Sequence, residues 1–179
     1  MLNFSDQRVG IFIDIQNIYH SAKNLFNARV NFQTLSKFLS GKRNLIVAVA
    51  YVVKSELVAG ELNFFEALKQ FGFELRIKDL QIYPDGTKKA DWDVGIAVDA
   101  IRMSSLLDAI ILVTGDGDFA PLVTYLQLGL GKQVEVAAFN KTASAKLKET
   151  ADKFIDLESI PGLLLESKST NAKSRKKNF

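Results

Sequence analysis

The sequence contains no cysteine and only one histidine, His20. The absence of cysteine excludes a disulfide-stabilised fold, a cysteine zinc site and a thiol nucleophile. A single histidine excludes a metal site built from several histidines. Any chemistry performed by this chain therefore has to be carried by carboxylates.

Long apolar runs are also missing. No run approaches the roughly 18 apolar residues of a membrane span, and residues 1–8 lack the basic and apolar segments of a signal peptide. With 47% hydrophobic and 24% charged residues in a chain of 179 residues, the composition is typical of one globular domain. These features predict a soluble cytoplasmic protein with no membrane partner.

The excess of positive charge is confined to the end of the chain. The net charge is +3, but residues 167–179 hold five basic residues and no acidic ones, so residues 1–166 carry a net charge of −2. The end segment has almost no apolar content to offset the entropy lost on ordering. We predict a folded domain at residues 1–166 and a basic disordered tail at 167–179, which is either a phosphate-binding arm or a solvated segment.

Short apolar runs alternate with stretches of helical periodicity. The apolar runs predict buried strands at residues 9–13, 45–53, 73–78, 109–113 and 133–139, with a short edge strand at 154–156. Helices are predicted at residues 17–26, 32–39, 55–71, 93–103, 119–128 and 144–153. This alternation indicates βαβ units, whose right-handed crossovers place helices on both faces of the sheet. The predicted fold class is α/β, a three-layer α/β/α sandwich with a mainly parallel, Rossmann-like sheet.

Acidic residues follow two of the predicted strands. Asp14 ends the first strand, and Asp116 and Asp118 come shortly after the fourth. In the common doubly wound order 3-2-1-4-5, the first and fourth strands are neighbours at the crevice where ligands bind. Asp14 then faces Asp116. Asp93, at the start of the helix that leads into the fourth strand, is expected near the same edge.

These acids have a structural and a chemical interpretation. Each one alone is typical of a helix N-cap, Asp93 and Asp118 in particular. Two carboxylates about 4 Å apart, however, repel by about 4 kcal/mol at an effective dielectric near 20, so a cation or a proton has to lie between them. Oxygen ligands without histidine or cysteine suit Mg²⁺ or Mn²⁺, which can support phosphodiester hydrolysis. Gly115 and Gly117 are expected to let the backbone turn tightly and a phosphate approach.

Three motifs occur in order along the chain: Phe12-Ile13-Asp14-x-x-Asn17, Lys89-Ala90-Asp91-Trp92-Asp93-Val94-Gly95-Ile96-Ala97-Val98-Asp99 and Thr114-Gly115-Asp116-Gly117-Asp118-Phe119-x-Pro121-Leu122. In this order and spacing they resemble the NYN domain family (LabA-like), a branch of the PIN-like nuclease superfamily. The resemblance covers about residues 8–156. It implies a metal-dependent ribonuclease fold in which Asp14, Asp93, Asp116 and Asp118 match the metal-binding acids and Asn17 matches the polar residue beside the first.

Other residues near this edge are assigned roles with alternatives. We place Asn17, Lys89 and Thr114 in substrate binding: Lys89 either contacts an RNA phosphate or is solvated, and Thr114 is expected to orient a carboxylate. Trp92 either stacks on a base or packs against the core. Asp99 either belongs to the site or pairs with Arg102 three residues later. The apolar runs at 64–65 and 163–165 fit either core packing or a homodimer contact.

Three functions are compatible with these features. The leading one is a single-domain Mg²⁺- or Mn²⁺-dependent endoribonuclease, with Asp14, Asp93, Asp116 and Asp118 as metal ligands and catalytic residues. The alternative is a non-catalytic regulatory or RNA-binding module of the same fold, which the mildly acidic domain favours because RNA binders usually present a basic face. Phosphoryl transfer on small phosphate esters is the weakest, because neither a phosphate-binding loop nor an Asp-x-Asp after the first strand is present.

Overall fold

A six-stranded parallel sheet forms the centre of the protein. The structure is a computed structural model that describes residues 4–54, 60–82, 84, 88–89 and 91–166. The predicted tail at 167–179 lies outside the described residues. In the described part the strands are β1 (Arg8–Asp14), β2 (Ala28–Val30), β3 (Asn44–Lys54), β4 (Glu74–Asp79), β5 (Gln81–Ile82), β6 (Lys88–Lys89), β7 (Ala109–Val113), β8 (Gln133–Ala138), β9 (Lys153–Asp156) and β10 (Leu164–Glu166).

Helices connect these strands and cover the sheet. They are α1 (Ile15–Phe26), α2 (Phe32–Ser40), α3 (Glu61–Gln70), α4 (Asp93–Met103), α5 (Ala120–Thr124) and α6 (Ala145–Thr150). Among the described residues, no helix is both long and apolar enough to cross a bilayer. The side chain of Asn31 accepts a hydrogen bond from the Thr34 amide at 3.1 Å and so caps α2, as the sequence predicts.

The strand order of the main sheet is β4-β3-β1-β7-β8-β9, and every neighbouring pair is parallel. The predicted order is therefore confirmed, with β9 added at the edge. Phe12 pairs with Leu112 and Ile13 with Val113, so β1 and β7 end side by side. The chain winds away from β1 in one direction and from β7 in the other, which makes this the switch point of the sheet.

Two apolar layers enclose the sheet. Helices α1, α2 and α3 pack on one face around residues such as Ile11 and Ile13, and α4, α5 and α6 pack on the other around residues such as Phe12 and Leu112. All five residues of β7 are buried because both faces of this strand are covered. This double burial explains the continuous apolar runs in the sequence and confirms the three-layer α/β/α sandwich.

The helix boundaries differ from the predictions in four places. Helix α6 ends at Thr150 rather than residue 153, which already belongs to β9. Helix α1 begins at Ile15 rather than residue 17, because Asp14 already caps it. Helix α3 begins at Glu61, and residues 55–59 of the predicted helix lie outside the described residues. The predicted helix at 119–128 consists of a 3₁₀ turn, the short α5 and a π-type turn at Tyr125–Gly129.

Two small sheets were not predicted. Strand β10 pairs antiparallel with β2, and β5 pairs antiparallel with β6. Leu163 is fully buried and Leu164 packs against the core, whereas Leu165 is exposed, so core packing accounts for two residues of the 163–165 run and the homodimer contact stays a prediction. The 64–65 run does the same, because Phe65 is buried and Phe64 packs on the same core.

Candidate metal centre and nucleic-acid site

The carboxyl ends of β1 and β7 place two acids beside each other, and each acid caps the structure that follows it. The Asp14 Oδ1 atom accepts a hydrogen bond from the Asn17 amide at 3.0 Å. The Asp116 Oδ1 atom accepts one from the Asp118 amide at 3.0 Å. The predicted caps at Asp93 and Asp118 are not formed by those side chains: Asp93 lies in the first turn of α4 and Asp118 within a 3₁₀ turn.

Three of the four predicted acids form one cluster. One carboxylate oxygen from each of Asp93, Asp116 and Asp118 lies within 4.8 Å of the other two. Asp93 and Asp116 are half-buried and Asp118 is exposed. Asp14 is half-buried and lies outside this closest group, although its charge interacts with Asp93 and Asp116.

The electrostatics of the edge disfavour the charged forms of two acids. Burial, followed by the negative charges of Asp116, Asp91 and Asp118, raises the pKa of Asp93 above its usual value. The pKa of Asp14 is raised mainly by burial, with smaller contributions from Asp93 and Asp116. A bound cation would relieve both effects, because it compensates the buried charge and separates the like charges.

Two polar side chains hold the loop that carries Asp116. The Asn17 Oδ1 atom accepts a hydrogen bond from the Gly115 amide at 2.9 Å, which connects α1 to the end of β7. Thr114 is buried, and its Oγ1 atom accepts a hydrogen bond from the Asp116 amide at 3.3 Å. In this structure both side chains are directed at the loop backbone, and both fix the position of Asp116.

The glycines of this loop allow close packing, and the predicted approach of a phosphate to them stays a prediction. Neither Gly115 nor Gly117 has a positive φ angle, so neither is required for an unusual backbone conformation. A Cβ atom at 115 would lie 3.2 Å from the Ala143 Cα atom, and one at 117 would lie 2.7 Å from the Ser144 Oγ atom. These glycines are needed because the loop after β8 packs directly against them.

Asp99 belongs to a buried network rather than to the acidic cluster. Its carboxylate accepts hydrogen bonds from the Tyr51 hydroxyl at 2.9 Å, from Arg76 at 3.2 Å and from Arg102 at 2.6 Å. Burial and the Asp99 carboxylate raise the pKa of Tyr51. The predicted pair with Arg102 is present, and the network fixes α4 to β3 and β4.

Trp92 packs in the core. Its indole N–H donates to the Val52 carbonyl at 2.9 Å, and its ring lies 5.4 Å from the Tyr51 ring. The Lys78 ammonium lies 5.4 Å from the Trp92 ring centroid. These contacts favour the packing interpretation over base stacking.

Two further residues of the second motif are Asp91 and Lys89. Asp91 is exposed just before α4. Lys89 lies in β6, where it pairs with Gln81. The side chain of Lys89 lies outside the described residues, so its proposed contact with phosphate stays a prediction.

Sequence reasoning missed the loop between β8 and α6. The Ser144 amide donates to the Gly115 carbonyl at 2.9 Å, and the Thr142 hydroxyl contacts the Ser21 hydroxyl at 3.2 Å. This loop therefore lies between the acidic loop and α1. The sequence could have indicated this loop by its position, because it follows the fifth predicted strand and therefore lies at the same end of the sheet as the acids.

The donor set fits a hard divalent cation. The described cluster offers only carboxylate oxygens, with no nitrogen or sulfur ligand. Oxygen-only sites are typical of Mg²⁺ and Mn²⁺. Burial and then the neighbouring negative charges raise the pKa of Asp93, and a divalent cation bound by these carboxylates would oppose both effects.

Comparisons with known proteins identify a family and agree with the fold. The sequence profile of the NYN domain matches residues 8–158. The chain is 25% identical over 168 residues to "Low amplitude and bright protein LabA" of Synechococcus elongatus, covering 88% of this chain and 87% of that protein. A crystal structure of a protein of unknown function from Vibrio parahaemolyticus superposes with a TM-score of 0.83 at 30% identity, covering 92% of this chain and 100% of that one.

Proposed function

Because this chain belongs to the NYN domain family, we propose that it is a metal-dependent ribonuclease that hydrolyses RNA phosphodiester bonds endonucleolytically. The observation that carries the proposal is the cluster of Asp93, Asp116 and Asp118 at the switch point of the sheet. Open α/β folds bind their ligands at the carboxyl ends of the strands, beside the switch point of the sheet. The proposed cofactor is Mg²⁺ or Mn²⁺.

The proposed metal ligands are Asp93, Asp116 and Asp118, with Asp14 completing the site from the end of β1. When bound, the ion would polarise a phosphoryl oxygen and lower the pKa of a coordinated water. The chain has no second histidine and no cysteine to act as base or nucleophile. Its contribution is therefore to position carboxylates and to hold the RNA backbone at this edge.

Asn17 and Thr114 support this role through the loop they fix. The hydrogen bonds from the Gly115 and Asp116 amides to these side chains limit the movement of the Asp116 carboxylate. Asn17 and Thr114 are thus proposed as positioning residues, and their direct contact with substrate stays a prediction. Lys89 is proposed to contact an RNA phosphate from β6.

The proposal is tested with end-labelled single-stranded RNA incubated with Mn²⁺, Mg²⁺ or EDTA. We expect cleavage with either metal ion, none in EDTA, and none in the Asp116→Asn variant. Asparagine accepts the cap hydrogen bond as well as aspartate does, and the change removes like-charge repulsion. The melting temperature of this variant should therefore be equal to or above that of the wild type.

The matched control is Asp6→Asn, an exposed acid before β1 at the opposite end of the strand. This variant should cleave RNA like the wild type. Intact RNA with every metal ion, together with Mn²⁺ binding in calorimetry, would contradict the nuclease assignment but keep the metal site. A large loss of stability in Asp116→Asn would instead assign Asp116 a purely structural role.

A regulatory or RNA-binding module without catalysis is the second candidate. The net charge of −2 over residues 1–166 and the five basic residues at 167–179 favour it, because affinity for RNA would then depend on the tail. Removing residues 168–179 distinguishes the two. A binder should lose affinity for RNA at all lengths and become less sensitive to salt, whereas a nuclease should keep its metal-dependent turnover on short RNA.

A further inference from the structure

The Ser144 side chain lies beside the acidic loop and has no assigned role. Ser144 occupies the N-cap position of α6, where a serine usually accepts a hydrogen bond from the helix backbone. Here its side chain makes no cap hydrogen bond. Among the described residues, no hydrogen bond to the Ser144 Oγ atom is formed, and the residue is only partly buried.

The position of this hydroxyl is fixed by its backbone. The Ser144 amide donates to the Gly115 carbonyl at 2.9 Å. The Oγ atom lies 2.7 Å, and the Cβ atom 3.0 Å, from the place that a Cβ atom on Gly117 would occupy. Gly117 is flanked by Asp116 and Asp118, two members of the acidic cluster. The serine hydroxyl is therefore held against the segment that carries these carboxylates.

A hydroxyl in this place can do one thing that the carboxylates cannot. Asp93, Asp116 and Asp118 are acceptors when ionised, whereas a serine hydroxyl also donates. A phosphodiester presents charged nonbridging oxygens, which accept such hydrogen bonds well. An unpartnered donor next to an acidic metal cluster is thus suited to a phosphate group that the metal ion brings there.

We propose that the Ser144 hydroxyl donates a hydrogen bond to a nonbridging oxygen of the RNA phosphate bound at the Asp93–Asp116–Asp118 cluster. The inference rests on the proposed function, since it places RNA at this cluster. Ser144 is then a substrate-contacting residue that orients the phosphate. Glycine at 117 is required because any side chain there would displace this hydroxyl.

The test compares Ser144→Ala with Thr142→Val, which removes a hydroxyl from the same loop. The Thr142 hydroxyl already has partners, the Ser21 hydroxyl at 3.2 Å and the Phe139 carbonyl at 3.4 Å. Binding of a short single-stranded RNA is measured by fluorescence anisotropy in Ca²⁺, with gels to verify that the RNA stays intact. Cleavage is measured separately in Mn²⁺, and Mn²⁺ affinity is measured by calorimetry.

We expect Ser144→Ala to bind RNA about tenfold more weakly, the loss typical of one hydrogen bond. Its Mn²⁺ affinity and melting temperature should stay at the wild-type values, and Thr142→Val should match the wild type in RNA affinity, cleavage and Mn²⁺ affinity. A substrate with one methylphosphonate linkage provides the sharpest check. With the stereoisomer that lacks the contacted oxygen, wild type and Ser144→Ala should bind equally.

Equal RNA affinity of wild type and Ser144→Ala in Ca²⁺ would overturn the inference. A parallel loss of Mn²⁺ affinity or melting temperature would overturn it too, because it would assign Ser144 a structural role. If the wild type binds RNA in a metal-dependent way without cutting it, the nuclease proposal fails. The Ser144 inference is then tested by the difference in RNA affinity between the wild type and Ser144→Ala. A wild type that does not bind RNA overturns both.

Discussion

At the scale of single residues, the unusual feature is a group of carboxylates at the carboxyl ends of β1 and β7. Burial is the main reason that the pKa values of Asp14 and Asp93 are raised, and neighbouring acids add to it. A carboxyl group with a raised pKa in the folded state destabilises the fold once it ionises. These residues therefore reduce stability in the absence of a cation.

This electrostatic cost predicts a pH dependence with a definite sign. The pKa of an aspartate in the unfolded chain is taken as the ordinary value of 3.8, and the pKa of Asp93 in the folded state is higher. At pH values between the two, the folded state binds more protons than the unfolded state, so the free energy of unfolding falls as pH rises. Asp93→Asn removes this contribution. We expect Asp93→Asn to be more stable than the metal-free wild type at neutral pH, and the difference to shrink as pH falls. Urea unfolding in EDTA at several pH values measures it.

Metal binding should show the opposite trend. Protons compete with the cation for Asp14 and Asp93, so Mn²⁺ affinity of the wild type should rise with pH through the raised pKa values and then level off. Calorimetric titrations over the same pH range provide the measurement. An affinity that does not change with pH would contradict a site that includes these carboxylates.

The sequence identifies the acids of the edge but not their partners. Asp14 and Asp116 can be located because each follows an apolar strand whose place in the sheet is predictable. The Arg102 partner of Asp99 was predictable because it lies three residues away, whereas the contact of Asp99 with Tyr51 and the position of Ser144 against Gly117 were not, because they join residues far apart in the chain. Strand and helix periodicity carries no information about such side-chain contacts.

At the scale of elements, the hydrogen bond between Asn17 and Gly115 connects the start of α1 with the end of β7. Through this contact one half of the doubly wound sheet fixes the acidic loop of the other half. We expect Asn17→Ala to lower Mn²⁺ affinity by about 10- to 100-fold, the effect typical of removing a group that orients a ligand. The loss of stability should be only about 1 kcal/mol. Calorimetry and urea unfolding measure the two effects.

Gln16→Ala is the matched control, because Gln16 lies on the same turn of α1 and is also half-buried. It should keep the Mn²⁺ affinity of the wild type. A similar loss in both variants would mean that the N-terminal turn of α1, rather than the hydrogen bond to Gly115, sets the geometry of the site.

The main strands could be predicted because burial on both faces leaves a long apolar run in the sequence. The short strands could not be predicted because they leave no such run. Strands β3 and β7 contain long apolar runs because they are covered by helices on both faces. Strands β2, β5, β6 and β10 are two or three residues long. They form through backbone pairing with a distant segment, and so few residues leave no periodic pattern in the sequence.

At the scale of the whole molecule, a buried ion pair fixes the end of the sheet opposite the acidic cluster. Arg43, just before β3, forms two hydrogen bonds with Glu135 of β8, at 2.7 and 3.2 Å. Gln7 and Gln133 complete a ring of hydrogen bonds around the pair. The Glu135 side chain is only 3% exposed, so its charge depends on this partner.

Removing the arginine should be costly. We expect Arg43→Ala to lower the free energy of unfolding by about 3–5 kcal/mol, because an unpaired carboxylate would remain buried. Lys69→Ala, which breaks an exposed pair with Glu66, should cost no more than about 0.5 kcal/mol. Urea unfolding of both variants tests the difference. A double change of Arg43→Met with Glu135→Leu should recover most of the stability, and failure to recover it would mean that the charge of Glu135 is not the cause.

The doubly wound strand order also has a consequence for the synthesis of the protein. Asp14 is made early, whereas Asp93, Asp116 and Asp118 follow only after β4 has been completed. A nascent chain that has emerged as far as β4 can pair β1 with β3 and β3 with β4, yet it contains only one of the four acids. The acidic cluster of Asp93, Asp116 and Asp118 cannot exist until the loop after β7 has been made, and Asp14 meets it only when β7 has inserted beside β1. A chain that is still attached to the ribosome is surrounded by RNA. It cannot have an activity that requires this cluster until most of the domain has been made and has folded.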